Sequence, residues 1–324
     1  KKLDLKAKDK SKTTILHFAC QSGNLQLVKY LIDLNQLKLK SKTKDKKTCL
    51  HFACEKDSLP LIEYLVSLKE IDITAKDKDG KNVLHYACKF ESPKVAKFFF
   101  ALGKINLSAK DSNKNTLLHI AAEAGNKQLV DFLISTHQID INSKNKVGEN
   151  VLHKACQSGN LDLAKYIIDL NVIDIKATDA DDRTILHFAT KSENIDLLKH
   201  LVSLDQVSVK SVDKSKESIL FYACRSNKLE LAKYILSLDQ IDVTAKNDEN
   251  QTLLHVSCEK GSLDLVEHLV SLNKINKNEI DKSQNTILHM ACKSGNSTLV
   301  KYIVDFNAID IESINKKNET LLHL

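Results

Sequence analysis

The sequence predicts an all-α fold, a solenoid of stacked helix-turn-helix units joined by hairpin-like fingers, and three observations predict it. Motif histidines stand at His17, His51, His85, His119, His153, His187, His255, His289 and His323, every interval being 34 residues or, across Phe221, twice that. A fixed period of this size marks a stacked array and not one closed core. The residue three before each of these positions, Phe221 included, is Thr14, Thr48, Asn82, Thr116, Asn150, Thr184, Ser218, Thr252, Thr286 or Thr320. All ten can cap a helix N-terminus through a side-chain oxygen. Eight glycines and two prolines in 324 residues are too few turn breakers for a many-stranded β fold.

Each element of the repeat follows in order. A short first helix starts at the cap and ends near Gly23, Gly125, Gly159, Gly261 and Gly295, where glycine takes a left-handed conformation at least cost. Asp57, Glu91, Glu193 and Asn227 hold the same place with more strain. The next residue, Asn24, Ser58, Ser92 or Asn126, is expected to cap a second helix. In that helix Leu27, Val28, Leu31, Ile32 and Leu34 form an apolar stripe, with Gln26, Lys29 and Asp33 left for water. Pro60 and Pro93 fall in its first turn, where a missing N–H does least harm. An extended piece such as residues 71–77 and a polar tip such as 78–81 complete the unit.

These residues carry a family resemblance. The length of 34 suits tetratricopeptide units, but their tryptophan, Leu-Gly and tyrosine pattern is absent. Thr14-Ile15-Leu16-His17-Phe18-Ala19 and Thr252-Leu253-Leu254-His255-Val256-Ser257 resemble the ankyrin signature T-P-L-H-x-A, and the resemblance runs the whole length of the chain. It implies nine repeats (9–42, 43–76, 77–110, 111–144, 145–178, 179–212, 213–246, 247–280 and 281–314), the end of another over 1–8 and the start of a tenth over 315–324. Neither end carries a polar capping repeat, so the array is expected to continue on both sides as part of a longer protein. The chain departs from the family pattern where an aliphatic residue or Cys49 replaces the proline, and where the turn after the second helix is one residue longer, as in Leu68-Lys69-Glu70-Ile71-Asp72. Lys277 and Glu279 make 247–280 the least regular unit, with local disorder or a bend expected there.

Composition excludes several function classes. No run approaches the roughly 18 residues of apolar sequence that span a bilayer, and the N-terminal ten residues lack the apolar core of a signal peptide. A net charge of +6 is moderate for this length and does not mark the whole chain as a nucleic-acid binder.

Six units place a cysteine three residues after the histidine, as in His17 and Cys20 or His51 and Cys54, which brings two candidate ligands near one helix face. A closed zinc site needs about four ligands within ~2.3 Å of one ion, whereas stacked helices lie ~8–10 Å apart, so no metal and no cofactor is expected. The cysteine position is filled elsewhere by Ala122 and Thr190, which reads as a requirement for a small buried side chain. Disulfides between neighbouring copies would need Cα atoms within ~7 Å and are not expected, and eight unpaired thiols point to a reducing, cytoplasmic compartment. For the histidine the resemblance implies a structural role, bonding the capping turn and the adjoining fingers. Nine copies of one histidine are the opposite of a distinctive catalytic centre, no phosphate-binding glycine loop occurs, and Asp179-Ala180-Asp181-Asp182 is a finger tip and not a calcium loop. No catalysis and no small-molecule substrate are expected.

Binding remains, through residues that vary between copies at matched positions. They include Glu55 and Lys56, Lys89 and Phe90, Glu123, Gln157, Lys191 and Arg225, just after the small-residue position. The resemblance places them in a concave protein-binding groove. Phe90 is the one aromatic among them and reads either as an anchor or as packing on Phe98 to Phe100. Residues 1–48 hold thirteen lysines against four aspartates, a balance of +9, which leaves −3 for the rest of the chain. Lys38, Lys40, Lys42, Lys44 and Lys46 alternate, with Lys47 beside them, so an extended finger would put the five on one face. That face reads either as solvated surface or as a site for an acidic protein tail, nucleic acid or anionic lipid. The sequence therefore points to a non-catalytic protein-recognition scaffold or adaptor, with an electrostatic anchor, cytoskeletal tails included, as the alternative.

Overall fold

The structure, a computed structural model, describes residues 5–305 and 312–323. Two compact units make up the chain, Lys1–Ile173 and Asp174–Leu324. The first contains α1 (Ile15–Ser22), α2 (Leu25–Asp33), α3 (Cys49–Glu55), α4 (Leu59–Ser67), α5 (Val83–Lys89), α6 (Pro93–Ala101), α7 (Leu117–Glu123), α8 (Lys127–Ser135), α9 (Val151–Ser158) and α10 (Leu161–Asp169). The second contains α11 (Ile185–Lys191), α12 (Ile195–Ser203), α13 (Ile219–Arg225), α14 (Leu229–Ser237), α15 (Leu253–Glu259), α16 (Leu263–Ser271), α17 (Ile287–Ser294), α18 (Ser297–Val304) and a final 3-10 turn, Leu321–His323. Among the described residues there is no strand, only two isolated β-bridges. In each unit the odd-numbered helices stack as an inner row, α1 on α3, α5, α7 and α9, and α11 on α13, α15 and α17.

The core is a set of registered rows. Leu16, Leu50, Leu84, Leu118 and Leu152 lie at one repeat position and Leu31, Leu65, Phe99, Leu133 and Ile167 at another, all nearly or fully buried. The cysteine row is buried too, except Cys292, which is half-buried. Phe18 and Leu27 break the pattern, being 52% and 41% exposed, while the copies one repeat later, Phe52 and Leu61, are covered. Leu27 therefore does not join the buried stripe expected of it.

First helices end as expected, with positive φ at Gly23, Gly125, Gly159, Gly261 and Gly295 and also at Asp57, Glu91, Glu193 and Asn227. The caps of the second helices divide by residue type. Asn24, Asn126, Asn160 and Asn296 accept N–H bonds from the helix they precede. Ser58 and Ser92, expected to do the same, do not. The Ser58 hydroxyl instead donates to the Gly23 carbonyl, and that of Ser92 to the Asp57 carboxylate, both in the preceding repeat. A serine oxygen is one bond too short to serve both partners. Asn160 serves both, accepting from Leu163 N–H at 2.9 Å and donating to the Gly125 carbonyl at 2.8 Å.

The connection after the second helix is not extended. Asp72 Oδ1 accepts the N–H of Thr74 at 3.0 Å and folds residues 71–75 into a turn. Asn106, Asp140, Asp174, Asp242 and Asn276 repeat the device, a side-chain mimic of a backbone turn. A second turn forms each hairpin-like tip, where Asp77 N–H bonds the Lys81 carbonyl while Asp77 Oδ1 takes the N–H groups of Asp79 and Lys81. Successive tips are joined by single backbone bonds, among them Lys44 to Ser11, Lys78 to Asp45 and Ser112 to Asp79. Residues 247–280 form the same helix pair and turns as the other units. Glu279 pairs with Lys246 at 2.6 Å and accepts from Asn276 Nδ2 at 3.2 Å, so the irregular acid is held by a cation of the preceding turn.

Candidate recognition groove

The histidine of each repeat closes a helix cap. Thr14 Oγ1 and the Thr14 N–H both point to Nδ1 of His17, at 2.9 and 3.1 Å, and the His17 N–H returns to Thr14 Oγ1. Nδ1 is then an acceptor, which leaves the proton on Nε2. That nitrogen donates to the Ser41 carbonyl of its own repeat, whereas His51, His119, His187 and His255 reach the next repeat, to the carbonyls of Lys81, Glu149, Glu217 and Asn285. Burial holds His51, His85, His119, His187 and His255 below the ordinary imidazole value. These rings are neutral joints between repeats.

The cysteines are equally structural. Burial pushes the thiols of Cys54, Cys88, Cys156 and Cys258 far up and that of Cys224 up to about 12. Cys49, in the place of the family proline, lies against Cys20, whose hydrogen bond together with His17 lowers it while Cys20 itself is raised. Among the described residues no three His, Cys, Asp or Glu side chains gather as a metal set.

The lysine-rich finger departs from its expected form. Ser41 N–H bonds the Lys38 carbonyl and Lys46 N–H bonds the Thr43 carbonyl, so two tight turns replace a strand. With φ of 61° at Lys46 and no extended run, two-residue alternation does not put Lys38, Lys40, Lys42, Lys44 and Lys46 on one face. All five are exposed. Lys47 turns the other way, pairing with Glu55 at 2.8 Å and lying over the rings of Phe52 and Tyr86 at 5.5 and 5.2 Å.

Five of the sequence candidates meet in one place. Lys47, Glu55, Lys89, Phe90 and Glu123 line a cavity of about 640 Å³ formed by α3, α5, α7 and the tips 43–47, 77–81 and 111–115. Phe90 is 39% exposed and stacks on Tyr86, with ring centroids 6.3 Å apart, and not on Phe98 to Phe100. Tyr86 in turn donates to Asp77 Oδ2 at 2.7 Å. Lys56 and Lys191 stand exposed elsewhere, Gln157 accepts from Lys154 at 3.0 Å, and Arg225 forks onto Glu217 with Nε 3.0 Å from Oε2.

Sequence reasoning missed three contributors. Asp77 and Asp111 in the cavity wall are buried, and the signal for them is their recurrence, with Asn145 and Asp179, at the first residue of each tip. Lys154 replaces the apolar residue of its position and is buried against Glu149 at 2.7 Å and Glu123 at 3.4 Å. Its signal was a lone charge in the row Phe52, Tyr86, Ile120, Phe188.

No helix among the described residues is long and apolar enough to cross a membrane. No curated protein matches the chain. The family profile described as ankyrin repeats in three copies matches residues 1–77, 67–145, 118–213, 152–247, 194–281 and 254–324. With capped helix pairs, structural histidines and profile matches along its whole length, the chain belongs to the ankyrin-repeat family, whose arrays are generally protein–protein interaction modules.

Proposed function

We propose that the chain is a non-catalytic recognition scaffold, an adaptor whose nine repeats over 9–314 present the cavity beside Phe90 to a partner protein. One observation carries this reading: the half-exposed Phe90 ring lines a cavity together with Glu55, Lys89 and Glu123, which differ between repeats, while framework residues such as His85 recur. Aromatic side chains set in such pockets are the usual anchors of protein interfaces. Buried free thiols support a reducing compartment, the cytoplasm.

Affinity capture with the wild-type chain, Phe90→Ala and a chain with Lys38, Lys40, Lys42, Lys44 and Lys46 changed to serine tests it. A protein retained by the wild type and the lysine variant but lost from Phe90→Ala supports the groove. Retention by Phe90→Ala and loss from the lysine variant moves the function to the second reading, an electrostatic anchor to an acidic protein tail, nucleic acid or anionic lipid. That reading is favoured by the five exposed lysines, none of which has an ion-pair partner among the described residues. Its affinity would fall steeply with salt.

A further inference from the structure

We propose that the groove seats an arginine side chain of the partner, its guanidinium over Phe90 and its N–H groups on Asp111 and on the buried acceptor Nε2 of His85. The proposal rests on the groove reading above and names the chemistry that fills it.

The first support is charge that lacks a counterpart. Asp77 and Asp111 are 7% and 6% exposed, and among the described residues neither has a lysine or arginine within ion-pair distance. Asp111 Oδ1 takes the N–H groups of Asn113 and Asn115, and Oδ2 has only the neutral Asn115 amide at 3.1 Å. Asp79 and Glu123 add exposed carboxylates to the same rim. Of the four lysines on the cavity, Lys47 is held by Glu55 at 2.8 Å and Lys78 lies 3.9 Å from Asp45. Glu123 is engaged by Lys154 at 3.4 Å, which leaves Lys81 and Lys89 against Asp77, Asp79 and Asp111, so the balance still favours a cation.

The second support is His85. Its cap is an asparagine, and Asn82 Oδ1 accepts the His85 N–H at 3.2 Å while lying 2.7 Å from Nδ1. An amide oxygen has no proton to give, so Nδ1 must donate, and the longer approach of the Asn82 N–H at 3.2 Å yields to that bond. The ring therefore carries its proton on the opposite nitrogen from His17, His51, His119, His187 and His255, all capped by threonine. Nε2 then becomes an acceptor and lacks a partner although the residue is 1% exposed and lines the cavity; Nε2 of the threonine-capped His289 also lacks one, so the cap decides the tautomer and not the vacancy. A buried acceptor without a donor is costly, and a donor-rich ligand relieves it.

The chain itself supplies the third support. Its only two arginines, Arg183 and Arg225, lie at groove positions of other repeats, each on a carboxylate. Arg183 Nε is 2.7 Å from Asp179 Oδ2, and its Cζ lies 5.1 Å from the Phe188 centroid. Asp77 and Asp111 are the counterparts of Asp179, those of Arg183 are Lys81 and Asn115, and that of Phe188 is Tyr86, the ring on which Phe90 stacks. The carboxylates remain, with a lysine that does not reach Asp77 or a neutral asparagine where the guanidinium stands in the other repeat. A planar fork that stacks on an aromatic ring suits this site better than an ammonium. Lys89 Nζ, 5.5 Å from the Phe90 centroid, covers the ring in the free protein and is the group displaced.

The test uses the 324-residue chain and an array of nine-residue peptides whose central residue is arginine, citrulline, lysine or glutamate between mixed neutral flanks. Arginine-centred peptides are expected to bind about tenfold better than citrulline-centred ones, the scale of one charge-assisted contact. Asp111→Asn and Phe90→Ala should remove that preference, and Lys89→Gln should strengthen it. Asn145, Asn247 and Asn315 hold the position of Asp111 in other tips, so Asp111→Asn keeps the fold. Imidazole nitrogen resonances should place the His85 proton on Nδ1. Equal binding of arginine and citrulline, or a preference for lysine or glutamate, overturns the proposal. If the preferred peptide is still lost from Phe90→Ala, the groove reading stands without it. Binding indifferent to both Phe90→Ala and Asp111→Asn overturns both.

Discussion

Nε2 of His119 lies 3.0 Å from the carbonyl oxygen of Glu149, thirty residues on, while Nδ1 of the same ring accepts from the Thr116 hydroxyl at 2.8 Å. One side chain thus starts its own helix and fixes the next finger. His119→Ala removes both bonds and leaves a buried carbonyl unpaired, at a cost of about 2–4 kcal/mol. Guanidinium unfolding of the two chains measures it, and a loss under about 1 kcal/mol would contradict the double role.

Acid should loosen the array through the same rings. Burial lowers the His85 value from 6.5 to about 4, and His51, His119, His187 and His255 shift in the same direction. A depressed folded value means that the unfolded chain binds protons more readily. Stability is therefore complete above about pH 6.5 and is lost as pH falls towards 4, by up to about 1.4 kcal/mol per pH unit for each ring. Denaturation midpoints between pH 7.5 and 5 should fall, and less steeply for His85→Gln, whose amide keeps the capping box. A flat profile would remove the neutral-joint reading.

Ser58 chooses the preceding repeat over its own helix, whereas Asn160 and Asn296 satisfy both. Ser58→Asn should keep the bond to Gly23 and add the missing cap, raising stability by about 0.5–1 kcal/mol. An unchanged or lower unfolding midpoint would show that the longer side chain fails to reach across.

Lys154 and Glu149 form a pair whose side chains are both under a tenth exposed. Breaking such a pair costs more than replacing it. Lys154→Met should destabilise by about 3 kcal/mol, and adding Glu149→Gln should recover most of that loss, as a double-mutant cycle would record. Equal effects of the single and the double change would mean that the charge is already solvated.

The sequence made legible whatever a repeated residue does by itself. Threonine caps, left-handed glycines and the histidine period each follow from local chemistry, and each appears where expected. What it hid were choices between two partners. Ser58 has one hydroxyl and two claimants, and only the distance to Gly23 decides. Lysine alternation over 38–46 suggested one face because extended backbone was assumed, and turns stabilised by the chain's own short-range bonds removed that face. The outer row Tyr64, Phe132 and Tyr234 was silent for the same reason: its covers, Lys29, Lys97 and Lys199, come from the repeat before, at 5.2 to 5.6 Å from the ring centroids. In the groove, Phe90 stood out by type, but Asp111 became significant only when its cation was found to be absent.

The histidine bond also gives the array a direction. The rings of His51, His119, His187 and His255 reach towards the C-terminus, to a carbonyl of the following finger, while Asn160 and Ser58 reach towards the N-terminus. A repeat without its successor therefore keeps that histidine donor without its protein partner. A break at such a finger leaves an unmade bond at the cap of the helix before it.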